Sequence, residues 1–200
     1  SGVIAYNFSE HNIVSMDIPN PAKQLIVGMD FNTSPLTAVI MIRTQKGLHA
    51  FDEIRMMGSN TDEMCDEIKN RYPQSRIIVF PDNSGIQRKT SAGGRTDISI
   101  LQNAGFVVKT KTRNPPVRDR INAMNSLLKN AEGERRFTVD KKCKYFIQSL
   151  ERYTYKPDTM IPDKSSGMDH MFDAATYAVE FLYPVTREVQ PDKTNTFGVW

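Results

Sequence analysis

Short, dense apolar runs alternate with polar turns along the chain, and the period of each run predicts its element. Gln24–Phe31 (QLIVGMDF) reads as a strand, with Ile26, Gly28 and Asp30 on one face. Asn32-Thr33-Ser34-Pro35 is a turn signal. Thr37–Arg43 (TAVIMIR) and Leu48–Arg55 are two further strands, separated by the Gln45-Lys46-Gly47 turn. Connections this short predict an antiparallel meander. A helix follows, capped by Ser59 or Thr61, with Met64, Cys65, Ile68 and Tyr72 as its apolar stripe. Arg76–Phe80 (RIIVF) is a buried fourth strand stopped by Pro81. Residues 83–95 (NSGIQRKTSAGGR) form a polar, Gly/Ser-rich loop. Beyond it the pattern predicts a helix over 97–104, a strand over 106–109, a helix over 118–129, a strand over 135–139 and a helix over 141–151. After a second polar loop comes a closing helix from about Gly167 to Leu182, striped by Met168, Met171, Phe172, Ala175, Val179 and Leu182. The order describes an α/β domain: a mixed sheet, antiparallel and then parallel, with helices on both faces. Residues 1–22 carry no period and read as a lead-in or linker; 23–183 form the domain, and 184–200 read as a flexible tail.

Composition narrows the class. Apolar residues are 39% and charged residues 24% of the 200, ordinary for a globular protein. No apolar run approaches the roughly 18 residues of a membrane span, and nothing at the start reads as a secretory signal. Two widely separated cysteines, Cys65 and Cys143, suggest neither a disulfide framework nor a zinc site, and a reducing cytoplasm fits best. The opening Ser1-Gly2 carries no methionine, which suits a fragment. The net charge of +3 is unevenly spread. Between Gly85 and Arg120 lie Arg88, Lys89, Arg95, Lys109, Lys111, Arg113, Arg118 and Arg120, against Asp97 and Asp119 alone. Such a stretch suits a phosphate backbone or, more simply, a solvated surface.

Three carboxylates stand in awkward places. Asp30 sits inside an apolar strand, where its charge is costly unless paired, hydrogen-bonded or metal-bound. Asp82 lies just past the fourth strand, at the strand end where ligands gather in open sheets, although Asp82-Asn83-Ser84-Gly85 is also good turn chemistry. The closing helix carries Asp169, His170 and Asp173. Ser166 and Asp169 fit a capping box, which gives Asp169 a structural role. Asp173 lies one turn deeper, where neither a cap nor the helix dipole explains it, and is the better ligand; His170 is secondary. Oxygen ligands of this kind favour Mg²⁺ or Mn²⁺. No GxxxxGK[ST], HExxH, GxSxG or CxxC occurs.

Three segments, Ile26-Val27-Gly28-Met29-Asp30-Phe31-Asn32, Ile78-Val79-Phe80-Pro81-Asp82 and Asp169-His170-Met171-Phe172-Asp173-Ala174, resemble in this order the nuclease domain of large terminase subunits. These are the DNA-packaging motors of tailed bacteriophages, and the resemblance is strongest to those that package by the headful mechanism. It implies an RNase H-like fold and a metal-dependent endonuclease cutting double-stranded concatemeric viral DNA with low sequence specificity. Carried over by residue, Asp30, Asp82 and Asp173 would hold two Mg²⁺ or Mn²⁺ ions, Asp30 between them, with His170 and Asp169 secondary. Two such ions about 3.5–4 Å apart activate water and stabilise the leaving oxygen, leaving 3′-hydroxyl and 5′-phosphate ends. Arg88, Lys89 and Arg95 would contact the DNA backbone. The implied partners are an ATPase domain of the same full-length protein preceding residues 1–22, the small terminase subunit and the portal, with no membrane involved. The setting would be the cytoplasm of the infected host. Two other readings keep the fold: a resolvase- or transposase-type nuclease, and a non-catalytic docking module. An actin-like or sugar-kinase ATPase, suggested faintly by Asp30-Phe31-Asn32-Thr33-Ser34, would need a second related domain.

Overall fold

A computed structural model of the chain describes residues 2–86 and 95–185. Three strands, β1 (Gln24–Asp30), β2 (Leu36–Arg43) and β3 (Leu48–Met56), form the antiparallel meander. Helix α1 (Thr61–Arg71) leads to β4 (Arg76–Pro81), which lies parallel to β1. Then come α2 (Asp97–Asn103), β5 (Val107–Val108), α3 (Val117–Leu128), β6 (Phe137–Val139), α4 (Lys144–Arg152) and α5 (Asp169–Leu182). The sheet order is β5-β4-β1-β2-β3-β6, so β1 runs near the centre.

Alternation along the strands splits the core in two. Leu25, Val27 and Met29 face α1 and α2, where Met64, Cys65, Ile68, Ile100 and Leu101 meet them. Ile26, Val39, Met41, Ile78 and Phe80 face the other side, against α3, α4 and α5. Gly28 and Asp30 share that second face. An added Cβ at Gly28 would stand 2.1 Å from the Ala174 carbonyl oxygen, so α5 crosses β1 with its backbone almost against the strand. The segments capable of helix also carry their own stops. Asn60 caps α1 by accepting from the Glu63 N–H, and Thr96 and Ser99 form a reciprocal capping box on α2.

The structure differs from the sequence pattern at the amino end. Residues 3–14, expected as a lead-in, are built into the domain. Ile4 and Ala5 are buried in the α3–α5 core. The Ile4 N–H donates to the Tyr153 carbonyl at 2.8 Å, and the Val14 N–H donates to the Val139 carbonyl at 2.9 Å. Asn12, fully buried, donates through Nδ2 to the carbonyls of Leu128 and Phe137. Docking of this kind works through backbone hydrogen bonds at sheet and helix ends, so it leaves no hydrophobic period to read. Of the tail expected over 184–200, residues 186–200 lie outside the described residues.

His49 on β3 is fully buried, with Nδ1 2.8 Å from Thr138 Oγ1 on β6 and Nε2 without a hydrogen-bond partner among the described residues. Burial pulls its pKa below 6.5, with Asp140 working the other way and Lys142 with it. The folded state therefore prefers the neutral ring. Its contribution is present above the unfolded pKa and is lost as pH falls through the lower folded value. Thermal melts between neutral and mildly acidic pH should show a loss of stability that is smaller in His49→Phe; identical pH profiles would contradict this assignment.

Candidate active site

The site forms where the carboxyl ends of β1 and β4 lie side by side. Met29 pairs with Pro81 in the parallel register, and the Asp82 N–H donates to the Met29 carbonyl at 3.0 Å. Asp30 and Asp82 therefore leave adjacent strand ends together. Gly85 sits in the turn after Asp82 against the Phe31 ring, where a Cβ would come within 2.2 Å of it. Helix α5 brings the third acid: Ala174 lies over Gly28, which places Asp173 near Asp30. Thr37, opposite Asp30 on β2, donates from Oγ1 to the His170 carbonyl at 3.1 Å and fixes the start of α5 over the same strand pair.

These groups feel one another electrostatically. Burial pushes the Asp30 carboxyl above its usual range. The His170 contact opposes that push, and the negative charges of Asp173 and Asp82 add to it. His170 Nδ1 stands 3.4 Å from Asp30 Oδ2, a long contact, and the same distance from Asn32 Nδ2. That bond to Asp30 is the main reason the His170 pKa rises, against burial and with help from Asp169.

Asp173 is 3% exposed and doubly paired: Arg120 on α3 donates to Oδ1 at 2.8 Å, and Lys164 reaches Oδ2 at 3.0 Å. Lys164 also lies 3.4 Å from Asp169. Asp82 accepts from the Ser84 N–H at 2.9 Å, from the Ser84 hydroxyl at 2.7 Å and from the Asn114 amide. No three His, Cys, Asp or Glu side chains among the described residues stand as a ready-made metal group.

The donor set nevertheless fits hard divalent cations. It consists of carboxylate oxygens: Asp30 Oδ2, Asp82 Oδ2 and both oxygens of Asp173 each keep a lone pair after one hydrogen bond, whereas Asp82 Oδ1 accepts two, from the Ser84 N–H and from Asn114. Asp30 is destabilised by two neighbouring negative charges, a repulsion a cation would relieve. Asp169 Oδ1 is buried without a hydrogen-bond partner among the described residues. Two hollows are lined by chain neighbours of the acids. One of about 240 Å³ is lined by Phe31, Asn32, Thr61 and Arg95; the other, about 340 Å³, by Ser34, Arg55, Ser166 and His170. Neither these two nor a larger hollow, about 460 Å³ beside Tyr72 and Lys142, is lined by Asp30, Asp82, Asp169 or Asp173.

Other expected positions fare differently. The Ser166–Asp169 capping box does not form. Met168 is the N-cap residue without a side-chain bond, Ser166 Oγ accepts only from the Met168 N–H, and Asp169 is buried beside Lys164 instead. Arg95 pairs with Asp62 at 3.2 Å. Arg88 and Lys89 lie outside the described residues. Sequence reasoning missed Thr37, Asn114 and Lys164 as neighbours of the acids, and no local signal marks them. Arg120 does carry one: with Ala123, Met124 and Leu127 it falls on the buried stripe of α3.

The sequence profile of the family described as Terminase RNaseH-like domain matches residues 27–181. The chain belongs to that family, and its mixed sheet is the RNase H-like fold of terminase nuclease domains. Solved structures agree. The large terminase of a thermophilic bacteriophage superposes with a TM-score of 0.69 at 19% identity, over 90% of this chain and 45% of that one. This chain thus spans less than half of that protein. The large terminase nuclease domain of phage P22 gives 0.68 at 19% identity, over 92% and 94% of the two chains. The nuclease domain of the large terminase of bacteriophage SPP1, solved with bound Mn, gives 0.58 at 19%, over 90% and 99%. None of the curated protein sequences compared with the chain matches it.

Proposed function

We propose that the chain is a divalent-metal-dependent endonuclease that hydrolyses double-stranded concatemeric viral DNA during packaging. The observation that carries this reading is geometric: the Asp82 N–H bonds the Met29 carbonyl at 3.0 Å, so Asp30 and Asp82 leave adjacent strand ends, and α5 crosses β1 at Gly28 with Asp173 alongside. The SPP1 domain binds Mn, and the same class of ion, Mg²⁺ or Mn²⁺, suits Asp30, Asp82 and Asp173 here, as a pair with Asp30 shared. Bound there, such ions would supply Lewis-acid activation of water and neutralise charge on the phosphodiester.

The chain's own residues do the rest. Asp30 is fixed by the strand pair and steadied at Oδ2 by the His170 ring. Arg120 and Lys164 hold the Asp173 carboxylate in one orientation. Asn114 and Ser84 hold Asp82. Contacts to the phosphate backbone, with Arg88, Lys89 and Arg95 as the candidates, would position a duplex without reading its sequence, so cutting should be weakly specific and salt-sensitive. The partners that follow are double-stranded DNA, an ATPase domain of the same protein, the small terminase subunit and the portal, in the host cytoplasm. No helix among the described residues is long and apolar enough to cross a membrane.

Supercoiled plasmid incubated with the chain and Mn²⁺ should be nicked and then linearised, and Asp30→Asn should lose this activity while remaining folded. One observation favours the docking-module alternative: Asp173 already carries two cationic partners. In that reading Mn²⁺ neither raises the melting temperature nor supports cleavage at any protein concentration.

A further inference from the structure

Residues 109–118 cross the open end of β4 and carry Lys109, Lys111, Arg113 and Arg118 with no acid among them, and all four are exposed. Lys111 is held by the buried Glu180 of α5, and Arg118 lies 3.9 Å from Asp119. Lys109 and Arg113 have no acidic partner among the described residues. The segment is pinned on one side by the Lys109 N–H donating to the Val79 carbonyl at 2.9 Å. On the other side the Asn114 side chain fastens it. Asn114 Oδ1 accepts from the Asn83 N–H at 2.8 Å, and Asn114 Nδ2 donates to Asp82 Oδ1. The same amide therefore fixes the basic loop and aims one of the three acids.

We propose that segment 109–118 seats a DNA phosphate backbone through Lys109 and Arg113, and that Asn114 is a positioning residue coupling this seating to the orientation of Asp82. The inference rests on the nuclease reading and extends it to how substrate and metal sense each other. A phosphate strand seated on the segment holds Asn114 where it is, and Asn114 together with the Ser84 N–H occupies Asp82 Oδ1 and so keeps Oδ2 turned toward a cation. By linkage the effect is reciprocal: a divalent ion must tighten duplex binding by the factor by which duplex tightens the ion. A loop that Asn114 merely staples would show no such reciprocity.

The test uses the chain with a fluorescent duplex in Ca²⁺ or EDTA, read by anisotropy, alongside thermal shifts against Mn²⁺ without DNA. Lys109→Glu with Arg113→Glu should weaken duplex binding and lower the slope of log affinity against log salt by about 2, with the Mn²⁺ midpoint unchanged. Asn114→Ala should weaken duplex binding in EDTA much less than the double charge reversal does. The same variant should raise the Mn²⁺ midpoint about tenfold and abolish the gain in duplex affinity from Ca²⁺. Asn114→Gln, which keeps the amide on a longer arm, should do the same and guards against a folding artefact in the alanine variant. Parent-like metal midpoints and coupling in both Asn114 variants would overturn the positioning role. Unchanged duplex binding and salt slope in the double charge reversal would overturn the loop as the contact. A parent chain that binds Mn²⁺ and duplex reciprocally but never cleaves would overturn the nuclease reading while sparing the coupling.

Discussion

Gly28→Ala is expected to melt well below the parent chain and to lose metal-dependent cleavage with it. Local preference argues the opposite. Glycine inside a strand is about 0.5–1 kcal/mol worse than alanine, and Gly28 has no left-handed backbone that would require it. Packing decides the sign. The new methyl would lie 2.1 Å from the Ala174 carbonyl oxygen, 2.9 Å from its carbonyl carbon and 3.1 Å from the Ala175 Cα. All three are backbone atoms of a buried helix, so no rotamer can move away. Overpacking of this kind costs about 1–3 kcal/mol or more, which outweighs the strand preference. In a chain of this size that is about 2–12 °C in melting temperature. The only relief is for α5 to lift from β1, which carries Asp173 away from Asp30. Ala174→Gly should not rescue the variant, because the clash is with the carbonyl rather than the side chain. Calorimetry of the single and double variants checks this; a parent-like melting temperature for Gly28→Ala would show that the close crossing is not what the glycine serves.

Gly28 also marks what the sequence could and could not reveal. The strands and helices were legible because each is a short run with its own period and stops, such as Pro81 after RIIVF. Asp30 was legible as a functional candidate because a carboxylate in QLIVGMDF costs too much to be accidental. The docking of residues 3–14 was not, since it depends on main-chain bonds to Tyr153 and Val139 that no side-chain pattern encodes. The basic stretch was misleading when counted as charge alone. Among its described members, Arg95 is paired with Asp62, Lys111 with Glu180, and Arg120 is buried against Asp173. Of these, only Lys109, Arg113 and Arg118 are left near the site without a strong partner. Charge counts measure composition, and only tertiary structure decides which cations still face solvent.

Arg120 is where that distinction has the largest energetic consequence. It is 4% exposed. Its guanidinium donates to Asp173 Oδ1 and to Thr176 Oγ1, both at 2.8 Å, and lies 4.5 Å from the centroid of the Tyr177 ring. Burial alone would lower its affinity for a proton, and Asp173 more than restores it. Removing one member of such a pair strands the other in a dry site, at a cost of about 3–5 kcal/mol. Arg120→Met keeps most of the volume and deletes the charge. Without metal it should lower the melting temperature by about 6–20 °C, tempered by Lys164, which still reaches Asp173 from a half-exposed position. Adding Asp173→Asn should recover a large part of the loss, because the stranded charge is removed with its partner. Strict additivity of the two changes in a double-mutant cycle would show that the pair contributes no coupling. The same cycle in Mn²⁺ bears on the site itself. If a cation shares Asp173 with Arg120, the single Arg120→Met variant should regain stability on Mn²⁺ addition, and the double variant should not.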